Sequence, residues 1–295
     1  MLHVDLIYRV LSIIFPVFSI AMVGFWYSRK FSIDMSASNR INIDVFVPLL
    51  IFGTMSSGDF SLSEYGMLSI AGTLVILGSG LIAWPFARVM KYQWKTFLPP
   101  IMFSNTGNMG LPLILLAFGE QALPAAIILL VLENFLHFSV GQQMMTQRWS
   151  LLFLLKNPMI IATFAGIAVS ELTISIPEVV LLPVNMLGQI SIPLMLFSLG
   201  VRLTTLNFKD WKIGLAGALI CPLSGLLIAL LLSSWLNLPA EQIPILMLFS
   251  ILPPAVLNFL VAEQYQQEPH LVASIVLMGN LGAVVTVPLA LWFIL

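Results

Sequence analysis

The sequence predicts an all-α membrane protein of ten transmembrane helices, built as two five-helix repeats of opposite orientation in which the fourth and ninth helices are broken. Three observations predict it. Hydrophobic residues make up 59% of the 295 and charged residues 8%, with a mean hydropathy of +1.03; a soluble domain carries roughly 25% charged residues. Ten apolar stretches fill nearly the whole chain, and a span needs about 20 such residues. Two of the stretches turn polar or proline-rich at their centres.

In chain order the predicted spans are Asp5 to Ser28, Asn42 to Thr54, Met67 to Phe86, Phe97 to Gly119 and Ala122 to Met145, then Leu151 to Ser170, Val179 to Val201, Trp211 to Trp235, Ala240 to Ala262 and Leu271 to Leu295. Val10 to Phe18 followed by Ser19-Ile20-Ala21 imitates a signal peptide. The apolar run continues to Trp26 and Asp5 offsets Arg9, so it reads as a retained span. The first break is Asn105-Thr106-Gly107-Asn108-Met109-Gly110-Leu111-Pro112, and the second is Leu252-Pro253-Pro254-Ala255-Val256-Leu257-Asn258. A helix that loses its ladder in hydrocarbon must have its freed backbone groups satisfied by protein, water or solute, so such breaks mark cavities and binding sites.

Basic residues sit in alternate loops: Arg29, Lys30 and Arg40; Arg88, Lys91 and Lys95; Arg148 and Lys156; Arg202, Lys209 and Lys212. The intervening loops carry Asp59, Glu64, Glu120, Glu171, Glu178 and Glu241, so the positive-inside bias puts both termini outside. The final loop, with Glu263, Glu268 and His270, falls on the cytoplasmic side without a Lys or Arg. Matches recur between the halves at offsets of 145 or 146 residues: Pro48 with Pro193, Phe103-Ser104 with Phe249-Ser250, Pro124 with Pro269, Asn134 with Asn280. The expected repeats are therefore residues 1–145 and 146–295. Five spans per repeat is an odd number, so the halves insert in opposite senses, and a substrate site is expected near the midplane where the broken helices meet.

Asn105, Thr106 and Asn108 offer amide and hydroxyl groups, while Gly107 and Gly110 permit close backbone approach. Half-helix N-termini and N–H groups suit a carboxylate; freed carbonyls suit a cation. Pro253 and Pro254 remove two successive donors, and Asn258 follows one turn later. The same residues also fit plain helix packing and a geometric hinge. Glu133 is the ionisable residue deep in the fifth span, with Asn134 beside it and His137 four residues on, on the same helical face. It reads either as a coupling-ion or proton site or as the partner of a local hydrogen bond to His137. Asn280 is the counterpart of Asn134 and buttresses the broken helices in this reading.

The two breaks, the Asn157-Pro158 that opens the sixth span and the Ala262-Glu263-Gln264-Tyr265 exit together resemble the auxin efflux carrier family, in its compact bacterial branch of permeases that includes malonate transporters. The resemblance covers essentially the whole chain. It implies a five-plus-five inverted repeat whose fourth and ninth helices cross at the substrate, an architecture similar to that of bile-acid sodium symporters and sodium/proton antiporters. It also implies scaffold and transport subdomains that move relative to one another. The long hydrophilic loop of the plant carriers is absent, since Thr146 to Ser150 alone joins the halves, and with it goes regulation through that loop.

A net charge of -1 without a concentrated basic patch excludes a nucleic-acid partner. The single Cys221 excludes an internal disulfide and a cysteine-based metal site. Gly78-Ser79-Gly80 and Ser57-Gly58-Asp59 only graze intramembrane protease patterns, and the sequence holds neither a His-Glu-x-x-His pair nor a nucleotide-binding loop, so an enzyme is not expected. The expectation is a secondary transporter of a small organic anion, a carboxylate, in a bacterial inner membrane. Its substrate would be held by Asn105, Thr106, Asn108, Gly110, Pro253, Pro254 and Asn258, and a sodium ion or proton by Glu133, Asn134, His137 and Asn280. A symporter of another small solute is the alternative, no resident cofactor is expected, and a homodimer is left open.

Overall fold

A computed structural model of the chain describes residues 2–56, 62–146, 156–204 and 210–295. Asp59, Arg148, Lys209, the start of the predicted sixth span at Leu151 and the junction of the two predicted repeats at residues 147–150 lie outside the described residues. Among the described residues every regular element is a helix.

Helix α1 spans Leu2–Lys30, and α2 runs through Ser36–Ile41, a π-helical stretch Asn42–Phe46, and Val47–Met55. Helix α3 is Gly66–Val89 and α4 is Trp94–Met102; α5 resumes after the first break as π-helical Thr106–Gly110 and then Leu111–Phe118. Helix α6 is Leu123–Leu136, continued by π-helical His137–Gly141 and Gln142–Thr146. The second half holds α7 Pro158–Glu171, α8 Glu178–Gln189, α9 Ser191–Leu203, α10 Trp211–Trp235, α11 Gln242–Ser250, α12 Leu257–Gln264 and α13 Pro269–Ile294.

Local sequence explains the starts. Pro124, Pro158 and Pro269 occupy the first turn, where a missing N–H costs nothing. At α7 the Asn157 side chain also caps, accepting the Met159 N–H at 2.9 Å. The sequence places the start of the second span at Asn42, whereas helix begins at Ser36; Ser36, Asn39, Arg40, Asn42 and Asp44 hide the helical turn from a hydropathy reading.

Six helices among the described residues are long and apolar enough to cross a membrane: Asp5–Lys30, Ser63–Val89, Glu120–Met145, Glu178–Leu203, Trp211–Trp235 and Pro269–Ile294. The predicted fourth and ninth spans are absent from this set because their breaks leave only short pieces, α4 with α5 and α11 with α12. Helix α7, with 14 residues, reaches about 21 Å at 1.5 Å per residue, short of the roughly 30 Å of hydrocarbon.

Burial is inverted relative to a water-soluble fold. Phe15, Leu81, Trp235 and Phe293 are 72 to 85% exposed, while Asn105, Glu133, His137, Asn258 and Asn280 are at most 3% exposed. Such a surface is stable against lipid and not against water.

The helices sort into two groups. Helix α1 lies along α9, and α2 packs on α7 and α8; α3 packs on α4 and α10, α10 lies along α13, and α11 and α12 pack on α13. Contacts between the groups, such as α1 with α13 and α5 with α9, are sparser. The α1–α9 seam depends on glycine: a Cβ on Gly200 would stand 1.8 Å from the Ala21 carbonyl oxygen, and one on Gly24 would stand 2.1 Å from that of Phe197. Both obstacles are backbone, so neither can swing away. We therefore expect Gly200→Val to destabilise the protein by about 1 to 3 kcal/mol, the usual range for overpacking, measured as unfolding in mixed micelles; unchanged stability would mean that the seam is looser than this.

Polar contacts also pair the helix ends. Ser28 and Thr204 hydroxyls lie 3.2 Å apart, the Gln142 amide donates to the Tyr265 hydroxyl at 2.8 Å, and the Gln267 amide donates to Thr96 at 3.0 Å. These ends all belong to loops that the basic-residue pattern assigns to one side. Gln242 and the Glu64 carbonyl, joined at 2.9 Å, both belong to loops assigned to the other.

Candidate functional site

The two breaks bind each other. After α4 the chain turns extended at Phe103, and Ser104 pairs antiparallel with Pro254 as an isolated bridge. The Asn105 N–H donates to the Pro253 carbonyl at 2.7 Å, and the Ala255 N–H donates to the Phe103 carbonyl at 3.0 Å. Pro253 and Pro254 have no N–H, so at this junction they only accept, and each half supplies what the other lacks.

Three amides complete the junction. Asn105 Nδ2 donates to Asn280 Oδ1 at 3.0 Å, and Asn280 Nδ2 donates to the Pro254 carbonyl at 2.9 Å and to the Val276 carbonyl at 2.8 Å. Asn258 Nδ2 donates to the Phe103 carbonyl at 2.8 Å and to that of Ala255 at 3.0 Å. The thiol of Cys221 reaches the freed carbonyls of Leu252 at 3.5 Å and Ile101 at 3.7 Å. Through these bonds the side chains hold the breaks together, with Asn258 Oδ1 left without a partner.

Beside the junction lies a cavity of about 160 Å³. One wall comes from α2 and α9, through Asn39, Asn42, Met195, Ser198 and Arg202; the other comes from the first break and α6, through Ser104, Asn105, Asn108, Glu133, Asn134 and His137. The second break contributes Ala255, Val256 and Leu257, and α7 contributes Met159. The walls thus belong to the two different helix groups. All three π-helical stretches among the described residues open onto this cavity, through Asn42, Asn108 and His137. A π-turn breaks the regular ladder and is found frequently at functional sites.

The residues that the sequence singles out divide here. Asn105, Asn108, Glu133, Asn134 and His137 line the cavity; Thr106, Gly110, Pro253, Pro254, Asn258 and Asn280 are absent from its wall. The Thr106 hydroxyl lies 3.4 Å from that of Ser104. Gly110 serves packing, since a Cβ there would stand 2.5 Å from Leu252 Cδ1. Asn280 faces a second, apolar cavity of about 300 Å³ between α1, α9 and α13. Asn134 and Asn280 each donate to the carbonyl four residues earlier, Leu130 and Val276, but Asn280 alone also reaches the breaks.

The local Glu133–His137 hydrogen bond is not formed. Neither Glu133 oxygen makes a hydrogen bond of regular geometry; the Ser104 amide and hydroxyl are the donors nearest to them, too poorly placed to count as full partners. His137 instead stacks on Phe103, ring centroids 4.2 Å apart at 5°. The physical reason is Gly141: a Cβ there would meet Phe103 Cε2 at 2.8 Å and His137 Cδ2 at 3.0 Å, so the bare Cα makes room for the stack. A buried carboxylate without a regular partner costs several kcal/mol when charged, and Glu133 lies on the cavity wall. Glu263, at the exit of the second break, is exposed and serves as an end residue.

Sequence reasoning missed Arg202, Asn42 and Ser198. Arg202 reads as a loop cation that marks the cytoplasmic side, and only its place in the last turn of α9 turns it onto the cavity wall.

A polytopic helical chain with a polar chamber between two helix groups is built as a membrane transporter. Comparison with known proteins agrees: the profile of the family described as Membrane transport protein matches residues 9–150 and 147–291. The chain belongs to this family, the auxin efflux carrier family of its permease branch. A protein of Rhizobium meliloti (strain 1021), provisionally named a malonate transporter, is 25% identical over 311 residues, covering 97% of this chain and 96% of the relative. An uncharacterized transporter of Methanocaldococcus jannaschii is 24% identical over 314 residues, with 97% and 99% covered. A second, from Methanothermobacter thermautotrophicus, is 25% identical over 279 residues, with 87% and 88% covered.

Proposed function

We propose that this protein is a secondary transporter of a small organic anion, a mono- or dicarboxylate, working by alternating access at the chamber beside the crossed breaks. The observation that carries the reading is the chamber's construction: polar walls from two helix groups, an unpartnered Glu133 on one and Arg202 on the other. A solute held between groups that pack sparsely against each other can be exposed to one side and then the other as they shift. The relative named for malonate supports the substrate class. Proton or sodium binding at Glu133 would lower the repulsion that an anion meets in the chamber, which is how an ion gradient drives its movement.

The same reading takes the chain as ten spans in two inverted repeats, residues 1–145 and 146–295. Supporting it, Pro124 and Pro269 open equivalent helices, and Asn134 and Asn280 make equivalent bonds to the preceding turn. In this reading the membrane is a bacterial inner membrane and both termini lie outside, which the basic-loop pattern supports.

Substrate class is tested by thermal unfolding of the purified protein against a panel of carboxylates with and without sodium. A ligand at a hundred times its Kd adds about 2.7 kcal/mol, so a true substrate raises the midpoint and a panel without effect removes the reading. Topology is tested by single engineered cysteines on the Cys221 background, whose own thiol is buried. Those beside Arg88 and Lys212 are expected to be labelled from the cytoplasm, and those beside Glu120 and Glu241 from outside; the reverse pattern overturns the orientation.

A further inference from the structure

We propose that Arg202 is the anion-receiving residue of the chamber, seating the substrate carboxylate against the α2–α9 wall together with Asn42. The inference rests on the chamber being an anion site, and it goes further by naming the group that recognises the charge.

Among the described residues that line the chamber, Arg202 alone is a Lys or Arg. It stands in the last turn of a transmembrane helix, partly buried, where keeping a guanidinium away from water is costly and such residues face an interior pathway. Ser198 lies four residues earlier on the same face of α9 and donates to Asn39 Oδ1 at 2.6 Å, which ties α9 to α2. Directly beside this tie sits Asn42, buried, with an Oδ1 that has no partner, at the mouth of the π-helical turn of α2. An amide with an idle end and a planar cation on neighbouring helices form a receptor for a carboxylate. The guanidinium offers two parallel N–H groups to its two oxygens, and the amide can turn its NH₂ towards them.

The opposite wall adds selectivity. Glu133, the one carboxylate among the lining residues, and His137 are its titratable groups; the polar residues that α2 offers are Asn39 and Asn42, with the exposed Arg40–Asp44 pair off the chamber, and α5, α7 and α12 present no charge. A substrate therefore meets a cation at one end and a hydrogen-bonding acid at the other. Small carboxylates with a second polar group fit this pattern, and cationic solutes do not.

The test uses malonate as the probe, with succinate and acetate beside it and choline as the cationic control, each titrated against purified protein at constant ionic strength. Wild type is expected to bind malonate and ignore choline. Arg202→Gln is expected to raise the apparent Kd at least about tenfold, the effect of losing charge-assisted hydrogen bonds, and Arg202→Lys to recover part of it. Asn42→Ala should weaken binding less. If wild type binds no carboxylate, the reading of the chamber fails; if wild type binds and Arg202→Gln binds equally well, the anion is held elsewhere and this inference alone fails. Should the variants not fold, wild-type protein is treated with phenylglyoxal and mapped by mass spectrometry. Arg202 is expected to be shielded from the reagent by malonate and not by choline, and equal modification with and without malonate overturns the inference.

Discussion

Asn280→Ala is expected to lower the unfolding free energy by about 2 to 6 kcal/mol, because it strands two buried groups that each cost about 1 to 3 kcal/mol when unpaired. The groups are the Asn105 amide, which donates to Asn280 Oδ1, and the Pro254 carbonyl, which accepts from Asn280 Nδ2. The neighbouring Pro253 and Pro254 have no N–H to give in its place. Asn280→Asp keeps the acceptor for Asn105 but sets an oxygen against the Pro254 and Val276 carbonyls, so it should be no more stable than Asn280→Ala. Asn134→Ala is the control: its side chain donates only within its own helix, to Leu130, and the expected loss is under about 1.5 kcal/mol, the net worth of one ordinary hydrogen bond. The check is equilibrium unfolding of the three variants in mixed micelles. Equal effects at positions 134 and 280 would contradict a junction held through Asn280. Asn105→Ala and Asn258→Ala weaken the same junction, so the substrate contacts that the sequence suggests for them cannot be read apart from stability.

The second large effect concerns coupling. Glu133→Gln is expected to keep carboxylate binding while removing its dependence on pH or sodium. In wild type the charged form of Glu133 repels an arriving anion, so binding should weaken as pH rises, and protonation or a bound cation should restore it. Gln keeps the shape and carries no charge at any pH. Isothermal titration of malonate across pH, with and without sodium, separates the outcomes. A variant with unchanged ion dependence would reduce Glu133 to a helix-interior residue and leave the membrane potential as the driving force.

The breaks were legible because each is a local anomaly: Asn105 to Pro112 and Leu252 to Asn258 are polar or proline-rich where an apolar ladder should continue. Their mutual hydrogen bonding was not, because pairing Ser104 with Pro254 is a relation across 150 residues that no local pattern carries. Glu133 was legible for the same reason as the breaks, a lone carboxylate in an apolar run. Of the two readings left open for it, the hydrogen bond to His137 is not formed, since an i to i+4 spacing gives proximity and says nothing of the Phe103 ring that takes His137. Arg202 illustrates the converse: a cation at the end of an apolar run looks alike whether it ends in water or turns onto a chamber, and only the packing of α9 against α2 decides. Asn42 read as the first residue of the second span, because the polar turn Ser36–Ile41 before it read as loop, and nothing local says that it faces a chamber.

The central claim is carboxylate transport through the chamber, and uptake of radiolabelled malonate into proteoliposomes tests it most directly, with proton gradient, sodium gradient and membrane potential imposed in turn. The account predicts saturable uptake that responds to at least one of the three, is lost in Arg202→Gln and loses its ion dependence in Glu133→Gln. Uptake no greater than in protein-free vesicles under every gradient, for malonate and for the other carboxylates of the panel, would contradict it.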